Sequence, residues 1–182
     1  MRLTVYTDYA LRMLIYLAAK TNGLATIAEV AGSYGISEHH LTKVAHQLGR
    51  SGHIATVRGK GGGLRLARPA GEIKLGEVVR QTEPDMALVP CFNSAEAPAG
   101  VPCPIVSVCD LRGVLGEAMQ AFLAVLDRYT LADLVQQRAG LRSLLMPGVA
   151  ASPAEHQVDD LVPGSAGNLQ KSLSNFGTKP RA

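Results

Sequence analysis

The chain has 182 residues, of which 47% are hydrophobic and 18% are charged, and its formal net charge is +3. This length suits one domain with a proper core plus extensions. No stretch reaches the eighteen or so apolar residues that a membrane span needs, and no signal-peptide pattern is present. We therefore expect a cytoplasmic protein that does not enter a membrane.

The first predicted element is a helix over residues 7–19, where apolar residues recur at three- and four-residue spacing. Asp8 falls in the first turn of this helix. An acidic side chain there complements the helix dipole, which is an ordinary structural reason for its presence.

Two short helices joined by a turn follow the first helix. Thr26 and Glu29 have the spacing of a capping box that opens a helix over 27–33, and Gly35 permits a turn after it. A second helix is predicted over about 38–48, capped by Ser37. This arrangement is typical of a helix-turn-helix, whose second helix enters the major groove of DNA. The candidate contacts to bases or phosphates are Ser37, His39, His40 and Lys43.

A glycine-rich basic segment, RGKGGG over residues 58–63, separates two short predicted strands at 53–57 and 64–67. The segment lacks the pattern of a nucleotide-binding phosphate loop. Glycines have no side chain, so they let the backbone lie close to a phosphate chain or within a narrow minor groove. The negative potential there attracts basic side chains. We therefore predict a wing, and its expected DNA contacts are Arg58, Lys60 and Arg65. Residues 36–68 carry six basic residues against one acid, which favours the same partner.

All three cysteines lie between residues 91 and 109. An odd number of cysteines in a chain without a secretory signal argues against a disulfide framework. Prolines on both sides of Cys103 favour a loop there. Ser107 and Asp110 have capping-box spacing, so a helix is predicted to start at Ser107 with Cys109 in its first turn. Three thiolates close to the start of a helix are suitable ligands for an iron-sulfur cluster or for zinc, and each would need one further ligand. The spacing alone also allows that the cysteines bind no metal.

The helix predicted from Ser107 continues to about Arg128 and carries two apolar stripes. The first stripe has the spacing of a coiled-coil seam, and the second widens the apolar surface beyond what one small domain easily buries. We infer that one stripe packs on the winged helix and the other on a second subunit, whereas a single internal core helix is the alternative. The stripes are Leu111, Leu115, Ala118, Phe122, Val125 and Tyr129, and Val114, Met119, Leu123 and Leu126.

These elements together predict a mainly α fold with a small β wing. The expected organisation is a winged helix-turn-helix domain followed by a cysteine loop, a long C-terminal dimerisation helix and a flexible tail. The bounds are 1–82 for the first domain (helix-turn-helix about 26–50, wing about 53–68), 83–109 for the cysteine loop, 107–137 for the dimerisation helix with a short following helix, and 147–182 for the tail.

Several separated motifs in the first 145 residues resemble those of the NsrR repressors, nitric-oxide-sensing members of the superfamily that includes the iron-sulfur regulator IscR. The motifs are TDYALR from residue 7, VRGKGGGLRL from 57, GEVVR from 76 and YTLADLV from 129. The resemblance implies a homodimer that binds double-stranded DNA at an inverted-repeat operator. It also implies nitric oxide as the signal.

The same resemblance implies one cluster per subunit, either 2Fe-2S or 4Fe-4S, held by Cys91, Cys103 and Cys109. The fourth ligand would be Asp8, supplied by the partner subunit. IscR-like sensors instead use a histidine three residues after the last cysteine, where this chain has Arg112. The loop between the first two cysteines is longer than is usual in the family, but loop closure costs little extra entropy as length grows.

The predicted function is therefore that of a transcriptional repressor that releases its operator when nitric oxide nitrosylates its cluster. Two alternatives share the DNA-binding domain: an IscR-like regulator that senses cluster supply or redox state, and a DNA-binding module with structural zinc. A thiol enzyme or an electron carrier is a third. An enzyme would need an acid or base beside its nucleophile, and no Cys/His pairing is evident; a carrier would have no use for the basic wing. We expect that the protein is not an enzyme.

Overall fold

The computed structural model describes residues 2–20, 22–92, 103–105 and 107–147. The predicted tail from residue 148 onward and loop residues 93–102 lie outside this description. The described elements are α1 (Val5–Ala19), α2 (Ile27–Tyr34), α3 (Glu38–Arg50), β1 (Ile54–Val57), β2 (Gly63–Leu66), α4 (Leu75–Thr82), α5 (Leu111–Leu126), α6 (Leu131–Leu134) and α7 (Arg138–Leu145), with short 3-10 turns at Ala70–Glu72 and Pro90–Phe92.

The helix-turn-helix consists of α2 and α3, and local signals define its turn. Thr26 and Glu29 form a reciprocal capping box, in which the Glu29 N–H donates to Thr26 Oγ1 (3.1 Å) and the Thr26 N–H donates to Glu29 Oε2 (2.6 Å). Gly35 then ends α2 in the left-handed region at φ 64°, which glycine adopts without a steric penalty. Ser37 occupies the N-cap position of α3, but its side chain makes no capping hydrogen bond.

The wing is the antiparallel hairpin of β1 and β2, with Ile54 opposite Leu66 and Val57 opposite Gly63. The segment before α2 pairs with it, since the backbones of Ala25 and Leu64 exchange two hydrogen bonds of 2.9 and 2.7 Å. A Cβ atom at Gly63 would lie 2.7 Å from the Ala25 carbonyl oxygen. Glycine at this position therefore lets β2 approach the helix-turn-helix closely.

The hydrophobic core forms around α1, which packs against α3, α4, β2, α6 and α7. Met13 and Leu14 have no exposed surface, and Leu41 and Leu48 of α3 are buried against the same cluster. Burying such a side chain fully contributes about 1.5–3 kcal/mol relative to leaving it exposed. No described helix has the length and apolar character needed to cross a membrane.

Helix α5 begins at Leu111, so the predicted start at Ser107 is wrong. Before the helix, the Val108 N–H donates to the Ile105 carbonyl (3.0 Å). Asp110 occupies the N-cap position without a side-chain capping bond. Since α5 begins at Leu111, Cys109 lies two residues before the helix and not in its first turn.

The two apolar stripes of α5 have different surroundings. Met119 and Leu123 of the second stripe are buried against Val79 of α4, with Leu126 packed beside them. Leu111 and Val125 of the first stripe are 57% and 44% exposed, and Val114 of the second is 61% exposed. Within the described chain, α5 therefore buries only part of its apolar surface.

Helix α7 was not predicted from the sequence. It follows α6, which opens with a capping box between Thr130 and Asp133, and it packs against α1. The Ser33 hydroxyl of α2 donates to the Leu145 carbonyl at 2.5 Å. The dimerisation segment predicted to end at residue 137 is thus followed by a helix that packs onto the winged-helix core.

Candidate DNA interface and cysteine segment

The exposed side of α3 carries every contact that was predicted for the recognition helix. Ser37, His39, His40 and Lys43 are all exposed. Helix α1 supports α3 from the side, since the Tyr6 hydroxyl donates to the Lys43 backbone carbonyl (3.3 Å) and the Tyr9 ring lies 6.2 Å from that of His40. The four polar side chains are therefore accessible on a helix whose position is fixed by packing.

The three basic side chains predicted for the wing are also exposed. Arg58 and Lys60 lie in the tip between the strands, and Arg65 lies in β2 opposite Ala55. In the part of the chain that the structure describes, none of them forms an ion pair. Their positive charges are thus available to an anionic partner such as a phosphate chain.

At the base of the wing, the structure reveals a hydrogen-bonded cluster that the sequence analysis missed. His53 is fully buried just before β1, and its Nε2 shares a hydrogen bond with Gln81 Oε1 (2.7 Å). Arg68, just after β2, donates through Nη2 to His53 Nδ1 (3.1 Å) and to Glu77 Oε1 (2.6 Å). We call this cluster the wing anchor; it consists of His53, Arg68, Glu77 and Gln81.

Burial lowers the pKa of His53, and the Gln81 hydrogen bond opposes this only in part. The neutral ring also fits the bonding pattern, because Nδ1 must accept from Arg68 and cannot carry a proton of its own. The unfolded chain therefore binds this proton at a higher pH than the folded chain does.

We accordingly expect the free energy of unfolding to be greatest above the unfolded pKa of about 6.5 and to fall as pH drops through the window below it. Denaturant titrations of metal-free protein between pH 7.5 and 5.5 measure this. His53→Gln should flatten the dependence, whereas His39→Gln, which removes an exposed histidine, should leave it in place. An unchanged slope in His53→Gln would show that another group is responsible.

The three cysteines are free thiols on the segment that leads into α5. Cys91 is half-buried in a 3-10 turn, Cys103 is exposed, and Cys109 is half-buried just before α5. Across residues 2–20, 22–92, 103–105 and 107–147, no three His, Cys, Asp or Glu side chains stand close enough to hold a metal ion. The described chain therefore does not bring the predicted ligands together. Three free and accessible thiols nevertheless match the donor chemistry that an iron-sulfur cluster requires.

Asp8 lies in the first turn of α1, and its side chain is 48% exposed. Arg12, one turn later, donates from Nε to Asp8 Oδ2 at 2.8 Å. Glu83, at the start of the cysteine segment, accepts from both the N–H (2.9 Å) and the hydroxyl (3.1 Å) of Thr4, which caps α1. The helix end that carries Asp8 is thus fixed, and its carboxylate remains accessible.

Helix α4 connects α5 to the winged-helix domain. Val79 packs on Met119 and Leu123, and Arg80 makes two hydrogen bonds to Asp127, of 2.8 and 2.5 Å. The Arg80 guanidinium lowers the pKa of the Asp127 carboxyl. Since α4 also carries two members of the wing anchor, a displacement of α5 has a direct route to the wing.

Comparisons with known proteins agree with this architecture. Residues 3–137 match the model of the Rrf2 family, described as an iron-dependent transcriptional regulator. The HTH-type transcriptional regulator NsrR of Geobacillus kaustophilus is 51% identical over 80% of this chain and 97% of its own length, and that of Bacillus subtilis is 49% identical with the same coverage. The solved structure of T. potens IscR covers 75% of this chain and 88% of its own, with a TM-score of 0.59 and 23% identity.

These findings confirm the predicted resemblance and the mainly α winged fold. The relatives are named as transcriptional regulators, which confirms that the protein is not an enzyme. The exposed recognition helix and the basic wing are the parts of the fold that suit DNA. The chain belongs to the Rrf2 family of DNA-binding transcriptional regulators.

Proposed function

We propose that the protein is a homodimeric repressor that binds an inverted-repeat operator and releases it in response to nitric oxide, through an iron-sulfur cluster. The observation that carries this proposal is the placement of all three cysteines, as free thiols, on the segment that leads into α5. Relatives at about half identity are named NsrR, which supports the same sensor class. Reduced thiols and a DNA target favour the cytoplasm as its location.

In this proposal, the DNA contacts come from α3 and the wing. The N-terminal residues of α3 reach base edges or phosphates in the major groove, and the wing's basic residues lie along the backbone or in the minor groove. Their exposure supports this role, and the described residues form no ion pair with the basic side chains of the wing. The proposed contacts are Ser37, His39, His40, Lys43, Arg58, Lys60 and Arg65.

Cys91, Cys103 and Cys109 would hold the cluster, as 2Fe-2S or 4Fe-4S, with Asp8 from the partner subunit as the fourth ligand. Cys109 lies two residues before the first residue of α5, so a ligand bound there would be directly coupled to the start of this helix. When bound, the cluster supplies iron that reacts with nitric oxide. Arg112 at the position of the IscR histidine favours this sensor over an IscR-like one.

The dimer would form through an exposed apolar face of α5 that combines residues of both stripes. Leu111, Val114 and Val125 leave 57%, 61% and 44% of their surface exposed, which is unusual for large aliphatic side chains on one helix. A second copy related by a twofold axis would cover this face. The two recognition helices would then have a fixed separation that matches the half-sites of an inverted repeat.

The route from the cysteines to DNA runs through α5 and α4. Cluster binding at the cysteines would fix the start of α5. Helix α5 in turn contacts α4 through Val79 and the Arg80–Asp127 ion pair. A signal can change operator binding only if the two states of the sensor differ in DNA affinity. The structure offers two contacts on α4 by which such a difference could reach the DNA-binding surface.

Replacing Asp8 with alanine tests the proposed fourth ligand. We expect the cluster-loaded protein to show an altered visible spectrum and faster loss of iron, because one ligand is removed. Arg12→Ala is the matched control, since it breaks the same exposed ion pair, worth about 0–1 kcal/mol, and keeps the carboxylate. Equal behaviour of the two variants would assign Asp8 to the ion pair and remove it from the ligand set.

Anaerobic purification, followed by a visible spectrum and analysis of iron, sulfide and zinc, tests the sensor assignment as a whole. We expect a coloured protein with iron and sulfide in cluster proportions. Protein that holds zinc after anaerobic reconstitution would support the structural-zinc module instead. A cluster that responds to oxidants but not to nitric oxide would support the IscR-like alternative.

A further inference from the structure

The strands of the wing pack on the core through Ile54 and Leu64, which are 3% and 4% exposed, whereas Arg58 and Lys60 of the tip are exposed. A two-stranded hairpin is only marginally stable in isolation, and residues 58–61 of the basic tip are exposed. Four residues of strand separate the base from the tip, a span of roughly 13 Å at about 3.3 Å per residue. A tilt of roughly 10° at the base would therefore move the tip by about 2 Å, which exceeds the tolerance of a precise contact.

The wing anchor sits where such a tilt would begin. His53 and Arg68 lie just outside the two ends of the hairpin, and the Ala67 N–H donates to the His53 carbonyl (3.0 Å). Their side chains meet Glu77 and Gln81, which are one helical turn apart on one face of α4. On the other side, the hairpin is held by the backbone pairing of Ala25 with Leu64.

The anchor includes a cost that its hydrogen bonds must offset. Among the described residues, Nε of Arg68 is buried and has no hydrogen-bond partner, which is unfavourable because the buried donor has lost its hydrogen bonds to water. The same guanidinium uses a single nitrogen, Nη2, to bridge the His53 ring and the Glu77 carboxylate. The bridge is thus specific in geometry, because one nitrogen of Arg68 must lie within hydrogen-bond distance of both the His53 ring and the Glu77 carboxyl group.

We propose that the wing anchor is a positioning device for DNA recognition: it fixes the wing to α4 so that Arg58 and Lys60 meet the DNA at a set angle. This inference rests on the proposed contacts of the wing with DNA. In this proposal, the anchor residues act on DNA binding only through the position of the wing tip. Their effect on operator affinity therefore depends entirely on the wing tip.

Glu77→Gln is the sharpest test, because charge and positioning predict opposite results. Removing an acid makes the domain more basic, which by itself would tighten DNA binding. The glutamine amide oxygen can still accept from Arg68, but only in a neutral and weaker hydrogen bond, so the weakened bridge should instead reduce operator binding about three- to tenfold, in the lower range for coupled residues. Glu72→Gln, which removes an exposed acid beyond the wing, is the matched control and should not weaken binding.

A double-mutant cycle locates the effect. Glu77→Gln should lose its effect on operator affinity in the Arg58→Ala/Lys60→Ala background, because the tip then has nothing to position. Arg68→Lys keeps the charge but cannot reproduce the bridge, and it should show the same dependence on the tip. All operator affinities are measured by anaerobic titration of full-length protein, with every variant in the same cluster state. Thermal melts confirm that each variant is folded.

Each outcome has a distinct meaning. Equal or tighter binding by Glu77→Gln, or an equal loss in both backgrounds, would overturn the positioning role. If the Arg58→Ala/Lys60→Ala variant itself binds like the parent protein, the proposed wing contacts fail, and the inference fails with them. Neither result depends on whether the protein senses nitric oxide.

Discussion

Cys109→Ser is expected to remove the bound iron and sulfide and to lower operator affinity by about 10- to 100-fold, a typical range for coupling between two sites. A serine hydroxyl does not ionise near neutral pH and replaces one of only three thiolates in the proposed ligand set. Iron analysis and an anaerobic operator titration measure the two effects. The operator affinity of Cys109→Ser should equal that of parent protein from which the cluster has been removed.

Val108→Ser is the matched control, since it introduces the same residue at an 80% exposed position beside Cys109. It should keep both iron and operator affinity. Full iron retention in Cys109→Ser would remove this cysteine from the ligand set. Loss of iron with unchanged affinity would leave the ligand assignment in place and refute the coupling to DNA.

The Arg58→Ala/Lys60→Ala double variant is expected to weaken binding to all DNA sequences and to reduce the dependence of log affinity on log salt by roughly two, at about 0.9 per lost phosphate contact. The reason is that both charges are exposed on the tip and make no ion pair within the described chain. Titrations at several salt concentrations, with operator and unrelated DNA, give the slope.

Arg138→Ala removes a comparable exposed charge on α7, outside the proposed contact surface, and should leave the slope unchanged. A fall in specificity at constant slope would mean that Arg58 and Lys60 read bases instead of phosphates. An unchanged affinity and slope would exclude the wing tip from the DNA interface.

Local signals made the DNA-binding half of the fold predictable. The Thr26 capping box, Gly35 and the glycine-rich tip each determine backbone geometry within a few residues, and the structure has α2, α3 and the wing where these signals place them. The exposure of the side chains predicted to contact DNA from α3 followed from helical periodicity. Only the Ser37 side-chain cap did not form.

Features that depend on distant contacts were not predictable in the same way. The start of α5 is a separate, local error: S-x-x-D spacing predicts it at Ser107, four residues before Leu111, where the helix begins. Helix α7 is short and packs on α1, and the wing anchor joins residues 28 positions apart in sequence, His53 and Gln81. The cysteine ligand set and Asp8 came from resemblance to a family, and they remain predictions.

The central claim is that the state of the cysteine-bound cluster controls DNA binding. It is tested most directly by titrating operator DNA with anaerobic, cluster-loaded protein before and after stoichiometric addition of nitric oxide, with Cys109→Ser as reference. We predict that nitric oxide lowers operator affinity to the level of Cys109→Ser and has no effect on that variant. Equal affinity with and without nitric oxide, in protein shown to contain the cluster, would contradict the account.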